Sequence, residues 1–127
     1  MTELRHPGAP VAVRAWAASP PTWLEVRAPE SIDPNVKLGP GETEAISLAL
    51  ELKADAVLID ERKGLMVARE LGLFATGTLG VLEIAAEKGL IDLAWAIAIL
   101  RQTTFRASGE VLDAMLQRDQ KRSGDRR

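Results

Sequence analysis

Two acidic residues sit where a helix and a strand are expected to open toward loops: Glu42 in G-E-T-E-A-I (Gly41 to Ile46), and Asp60 directly after A-V-L-I (Ala56 to Ile59). Ala45, Ile46, Ala49 and Leu52 predict a helix over 42–53. At about 100° per residue its apolar stripe takes in Glu42, while Glu44 and Glu51 point the opposite way. An inward acid at a helix start and an acid at a strand end, both on rigid elements, are the oxygen donors that a hard cation needs. Each also has a plainer explanation. An acid in a first helical turn favours the helix dipole, and Asp60 is placed to cap a helix over 61–71.

The elements that must hold these groups follow from the apolar pattern. V-A-V-R-A-W-A-A (Val11 to Ala18) predicts a short helix after Pro10, stopped by Ser19-Pro20-Pro21. W-L-E-V-R (Trp23 to Arg27) predicts a strand, and a loop rich in Pro, Asp and Asn leads from it to Gly41. The unalternating run Ala56 to Ile59 is the mark of a strand covered on both faces. Glu61 to Leu71 is expected to be helical with Gly72 as a left-handed cap, Phe74 to Thr76 a short strand, G-T-L-G (Gly77 to Gly80) a turn, and Val81 to Lys88 a helix closed by Gly89. Strand, helix, strand, helix with short connections implies a parallel sheet flanked by helices. Leu93 to Gln102 is apolar nearly all round, the pattern of a helix buried in a core or in a subunit interface. Ser108 to Leu116 predicts a last amphipathic helix.

Other chemistries find no support. His6 is the sole histidine, there is no cysteine, and no Walker loop, G-x-G-x-x-G or nucleophile elbow occurs. Gly77 to Gly80 before a helix offers backbone amides to a phosphate or is a plain tight turn. The chain of 127 residues is long enough for one cored domain. Its net charge of −2 divides unevenly, because Arg118 to Arg127 hold five Arg or Lys against two Asp, leaving an acidic body. Residues 117–127 are accordingly expected to be a basic, flexible tail after a domain over 1–116. No apolar run approaches the roughly 20 residues of a membrane span, and lack of cysteine fits the cytoplasm.

The motifs taken together carry a resemblance. L-x-x-G-E-x-E-A-I-x-L-A (Leu38 to Ala49), A-D-x-x-L-I-D-E-R-K-G (Ala54 to Gly64), T-G-T-L-G-V-L (Thr76 to Leu82), A-x-x-x-G-L-I (Ala85 to Ile91) and R-Q-T-T-F-R (Arg101 to Arg106) resemble a subgroup of PIN-domain proteins related to VapC-type toxin ribonucleases. The resemblance implies a three-layer α/β/α fold with a small parallel sheet, in which a few Asp and Glu residues hold one or two Mg²⁺ or Mn²⁺ ions and single-stranded RNA is hydrolysed. By position, Glu42 and Asp60 match the family's acids, Glu44 is a second candidate on the same helix, and Glu3 matches the acid at the end of the family's second helix. Glu3 is then a ligand or general base, and Thr78 and Lys63 are candidate substrate contacts.

Two departures set a rival reading beside this one. The family's first strand, which carries an Asp in D-T-S-x-L, has no counterpart here, and Leu65 stands where the family often has Arg. A start placed upstream, a strand from a partner, or loss of the reaction would each account for the first. The rival to a metal-dependent endoribonuclease is therefore an inactive PIN-like remnant that binds an antitoxin-like protein or forms a homodimer through Leu93 to Leu100. Dimerisation is expected under both readings.

Overall fold

Pro40 opens the helix that carries Glu42, at a first position where proline's missing N–H costs nothing. In the computed structural model of the chain, which describes residues 3–125, a 3-10 turn at Glu3–Arg5 precedes six α-helices and two strands. These are α1 (Val11–Ala18), α2 (Pro40–Leu52), β1 (Val57–Leu58), α3 (Arg62–Glu70), β2 (Ala75–Thr76), α4 (Thr78–Glu87), α5 (Leu93–Leu100) and α6 (Gly109–Asp125). Gly72 and Gly89 follow α3 and α4 with φ of 84° and 73°, the left-handed backbone expected of both.

β1 and β2 pair in parallel, Val57 opposite Ala75 and Leu58 opposite Thr76, with α3 as the crossover. The Ile59 amide extends the ladder by donating to the Thr76 carbonyl at 2.9 Å. The order strand, helix, strand, helix stands as expected, in an α/β chain whose sheet has two strands among the described residues. Its burial differs from expectation. Val57 and Ile59 are buried but Leu58 is 66% exposed, so one face of β1 is open. The apolar run without alternation gave no hint of this, because Leu58 is as hydrophobic as its neighbours.

Two hydrophobic clusters fill the interior. The first joins Val36, Ile46 and Ala49 to Val57, Ile59, Ala68 and Ala75, binding α2 and α3 to the strands. The second joins Ala86, Leu93, Ile97, Leu112 and Met115, which binds α4, α5 and α6. Loop residues ahead of α2 are pinned to it by side chains: Glu51 accepts from the amides of Glu30 and Ser31 at 3.1 and 3.0 Å, and Ser47 Oγ from the amide of Asp33 at 3.0 Å.

Three expectations are corrected, and that for α5 is narrowed. Trp23 to Arg27 forms no strand; Trp23 and Val26 are 77% and 65% exposed, and with neither face buried nothing repays the ordering of the backbone. Gly77 to Gly80 is no turn, since Thr78 already starts α4. In α5 Leu93 and Ile97 are buried, whereas Trp95 is 64% exposed, so the helix is covered on one side. Finally, α6 does not stop near Leu116 but continues to Asp125. Arg118 holds Glu83 of α4 through Nε and Nη2 at 2.8 and 2.9 Å, and Arg122 approaches both Glu83 and Glu87. The expected flexible tail is largely a helix strapped to α4, because its arginines recur one turn apart opposite two glutamates one turn apart.

Candidate functional site

Asp60 leaves the C-terminal end of β1 beside the point where β2 turns directly into α4. Its Oδ1 accepts from the Thr78 amide and its Oδ2 from Thr78 Oγ1, both at 2.7 Å. The carboxylate therefore serves the first turn of α4, where a negative charge suits the helix dipole. It does not cap the helix that follows it in sequence: the residue before α3 is Glu61, and no side chain caps that helix. Gly77 makes the grip possible, since a Cβ there would stand 2.6 Å from Asp60 Oδ1 and 3.2 Å from the Ile59 carbonyl oxygen.

Glu42, in the first turn of α2, is half-buried. Its carboxylate turns back toward the helix start, with Oε2 2.8 Å from where a Cβ on Gly39 would lie. Gly64 of α3 faces the Glu42 stem from the other side: a Cβ there would come 3.7 Å from Glu42 Cγ and 2.9 Å from Ile59 Cγ2. A side chain at Gly64 would thus push α3 away from β1 and narrow the space for Glu42.

These placements bring Glu42 and Asp60 together. With Glu61, Ala45, Leu58 and Ile59 they line one cavity of about 290 Å³. Asp60 also borders a second, more apolar cavity of about 240 Å³, walled by Leu58, Ile59, Thr78, Val81 and Leu82. One carboxylate stands between an acidic recess and a greasy one. Glu61, unassigned by the sequence reading although it follows Asp60 in D-E-R-K-G, joins the acidic side.

The remaining candidates lie elsewhere. Glu44 is exposed on α2 and lines neither cavity; Lys63 is exposed in the first turn of α3 and lines neither. Glu3 borders a different recess with His6, Gly8 and Ala9. Among the described residues, no three His, Asp or Glu side chains are grouped closely enough to hold a metal ion between them. The donor set of Glu42 and Asp60 nevertheless fits Mg²⁺, which is commonly bound by one or two carboxylates with waters and substrate phosphates completing its shell. Each Asp60 oxygen accepts one hydrogen bond and keeps a lone pair for a further partner.

An acidic recess at the carboxyl end of parallel strands is the usual place for a site in an α/β protein. A PIN-domain family model matches residues 1–121, and the chain belongs to the PIN-domain family, whose general function is of the nuclease type. Comparison with curated proteins and with solved structures gives no match. Among the described residues, no helix is long and apolar enough to cross a membrane.

Proposed function

We propose that the chain is a metal-dependent endoribonuclease of the VapC toxin type that cleaves single-stranded RNA. The observation that carries this reading is the recess shared by Glu42 and Asp60 in a chain of the PIN family. Two like-charged carboxylates facing one recess repel a phosphodiester unless a cation stands between them. Glu42 and Asp60 are the residues that would hold Mg²⁺ or Mn²⁺, directly or through water. A bound ion would supply a Lewis acid for phosphate charge and a more acidic water.

The chain's own groups have separate tasks. Thr78, by donating twice to Asp60, fixes the rotamer of that carboxylate while each oxygen keeps a lone pair for a further partner. Glu61, on the same wall, is placed to take a proton from an attacking water, the general-base task that the resemblance offered to Glu3. Leu58, Val81 and Leu82 offer an exposed apolar face to a base or ribose on the other side of Asp60. The wider reading includes a three-layer α/β/α arrangement around the small parallel sheet, a cytoplasmic toxin role, an antitoxin-like protein as partner, and a homodimer through the exposed side of α5.

One observation favours the second reading, an inactive PIN-like remnant that binds an antitoxin-like protein or dimerises: Glu3 stands in a recess apart from Glu42 and Asp60. The deciding experiment is cleavage of a labelled single-stranded RNA with Mn²⁺ or Mg²⁺, beside EDTA and Glu42→Ala. The nuclease reading expects cleavage that EDTA abolishes and that Glu42→Ala lowers by at least the roughly 10–100-fold lost when a supporting group is removed from a metal site. Intact RNA with a folded wild-type chain would select the remnant.

A further inference from the structure

A third cavity, of about 490 Å³, opens between the end of α5 and the start of α6 and is lined by Arg101, Phe105, Arg106 and Ser108 over a floor of Leu100 and Leu112. No carboxylate lines it. Arg106 makes no ion pair or side-chain hydrogen bond among the described residues, and Arg101 has a loose contact of 3.7 Å with Asp113 on an exposed surface. The ring of Phe105 is set by a tight turn: Thr103 Oγ1 donates to the Leu100 carbonyl at 2.6 Å and accepts from the Phe105 amide at 3.2 Å. In a chain with an acidic body, one guanidinium without a partner and a second that is only loosely paired, beside a half-buried aromatic ring, are the components that hold a phosphate and stack a base. The volume lies within the range of small-ligand sites.

Its position follows from the ion pairs that strap α6 to α4. Arg118 meets Glu83, and Arg122 meets Glu87, at the same sequence offset of 35 residues. These pairs run the two helices in the same direction side by side, so the start of α6, where Asp113 lies, falls toward the Thr78 end of α4. Arg101, the partner of Asp113, thus stands at the end of the helical layer where Asp60 grips α4. Packing agrees, because Leu112 of the cavity floor and Leu82 of the apolar recess beside Asp60 belong to one hydrophobic cluster.

We propose that this cavity is the docking point for single-stranded RNA, resting on the nuclease reading above: Arg101 and Arg106 hold a backbone phosphate, a base stacks on Phe105, and the strand continues toward Asp60. The flanking acids are Asp113 and Glu110, both on α6 and neither in the cavity wall.

Binding of a labelled single-stranded RNA oligonucleotide, followed by fluorescence anisotropy in EDTA across a salt series, tests the dock without any dependence on cleavage. Phe105→Ala is expected to weaken binding about fivefold or more, the loss typical of one stacked base. Arg106→Ala is expected to lower the slope of log K against log salt by about 0.7, the value for one phosphate contact on a single strand. Lys88→Ala, which removes the same charge from the opposite end of α4, should leave that slope in place. The dock is overturned if Arg106→Ala and Lys88→Ala act alike, if Phe105→Ala binds as the wild type does, or if the wild-type chain binds no RNA. Failure of the nuclease reading looks different: RNA binds normally, with the losses above, and is not cut when Mn²⁺ or Mg²⁺ is added.

Discussion

Asp60 carries two loads that single substitutions separate. As an acceptor it holds the first turn of α4 through Thr78; as a charge it belongs to the recess with Glu42. Asp60→Asn keeps a carbonyl oxygen for the Thr78 amide and removes the charge. We expect it to lower stability against urea by no more than about 0.3–1 kcal/mol, the worth of a charge at a helix start, while losing RNA cleavage. Thr78→Val keeps the amide bond and removes the hydroxyl, at an expected cost of about 1 kcal/mol, the usual net worth of a hydrogen bond. A midpoint shift with unchanged denaturant slope would report that loss. Should Asp60→Asn cleave as well as wild type, the charge has no part in the chemistry. At this scale the sequence singled out two carboxylates that line one recess but did not disclose what they touch. Glu42 and Asp60 stood out by periodicity and by position after a strand. The bond from Thr78 to Asp60 spans 18 residues with no spacing rule to announce it, and so the carboxylate was assigned to the helix that follows it in sequence.

The joint between β2 and α4 is tight at Gly80, where an added Cβ would collide with Thr76 Oγ1. Alanine in place of a helical glycine ordinarily stabilises by about 1 kcal/mol. Here Gly80→Ala should instead destabilise by about 1–3 kcal/mol through overpacking. Adding Thr76→Ala, which removes the obstructing oxygen, should restore part of the loss, and thermal unfolding of the two single variants and the double variant would measure the coupling. The strap between α4 and α6 makes a second prediction. The Arg118 hydrogen bond holds the Glu83 carboxyl below its ordinary value of 4.5; burial works against this, and the charges of Arg118 and Arg122 add to the lowering. A lowered native value means that the unfolded chain takes up the proton first. The strap's contribution is therefore complete above about pH 4.5 and is lost as the pH falls through the lowered native value. Glu83→Gln should flatten that acid limb of the stability curve, and an unchanged limb would deny the strap its role. Helices with clear stops were legible: Gly72 and Gly89 ended α3 and α4 as read. Legibility failed at W-L-E-V-R, whose strand pattern had no neighbouring strand to pair with, and at α6, whose extension depends on glutamates 35 residues away.

For the molecule as a whole, the exposed side of α5 is the surface on which the proposed assembly is tested. Trp95 is 64% and Ile99 43% exposed, with Leu90 close by at 73%. A homodimer through this side predicts a dimer by sedimentation at micromolar concentration, and Trp95→Lys should shift it to monomer with little change in melting, because the ring is not part of the second cluster. Sedimentation of the wild type as monomer alone would remove the dimer. The class of fold was legible at this scale from the alternation of strands and helices, and PIN membership from the motifs. The open face of β1 was not, since exposure of Leu58 depends on what lies beside the strand and not on the strand itself.

The grip of Asp60 on Thr78 joins the two hydrophobic clusters, because Asp60 follows a strand of the first and Thr78 begins a helix of the second. Seen as units of opening and closing, α2, α3 and the strands form one and α4 to α6 the other, with β2 running straight into α4 between them. Whatever binds between Glu42 and Asp60 therefore holds two residues of the first unit, one of which grips the second through Thr78. In amide exchange with solvent deuterium, such a ligand would reveal itself far from its contacts, by making the slow amides of α5 and α6 exchange in step with those of α2.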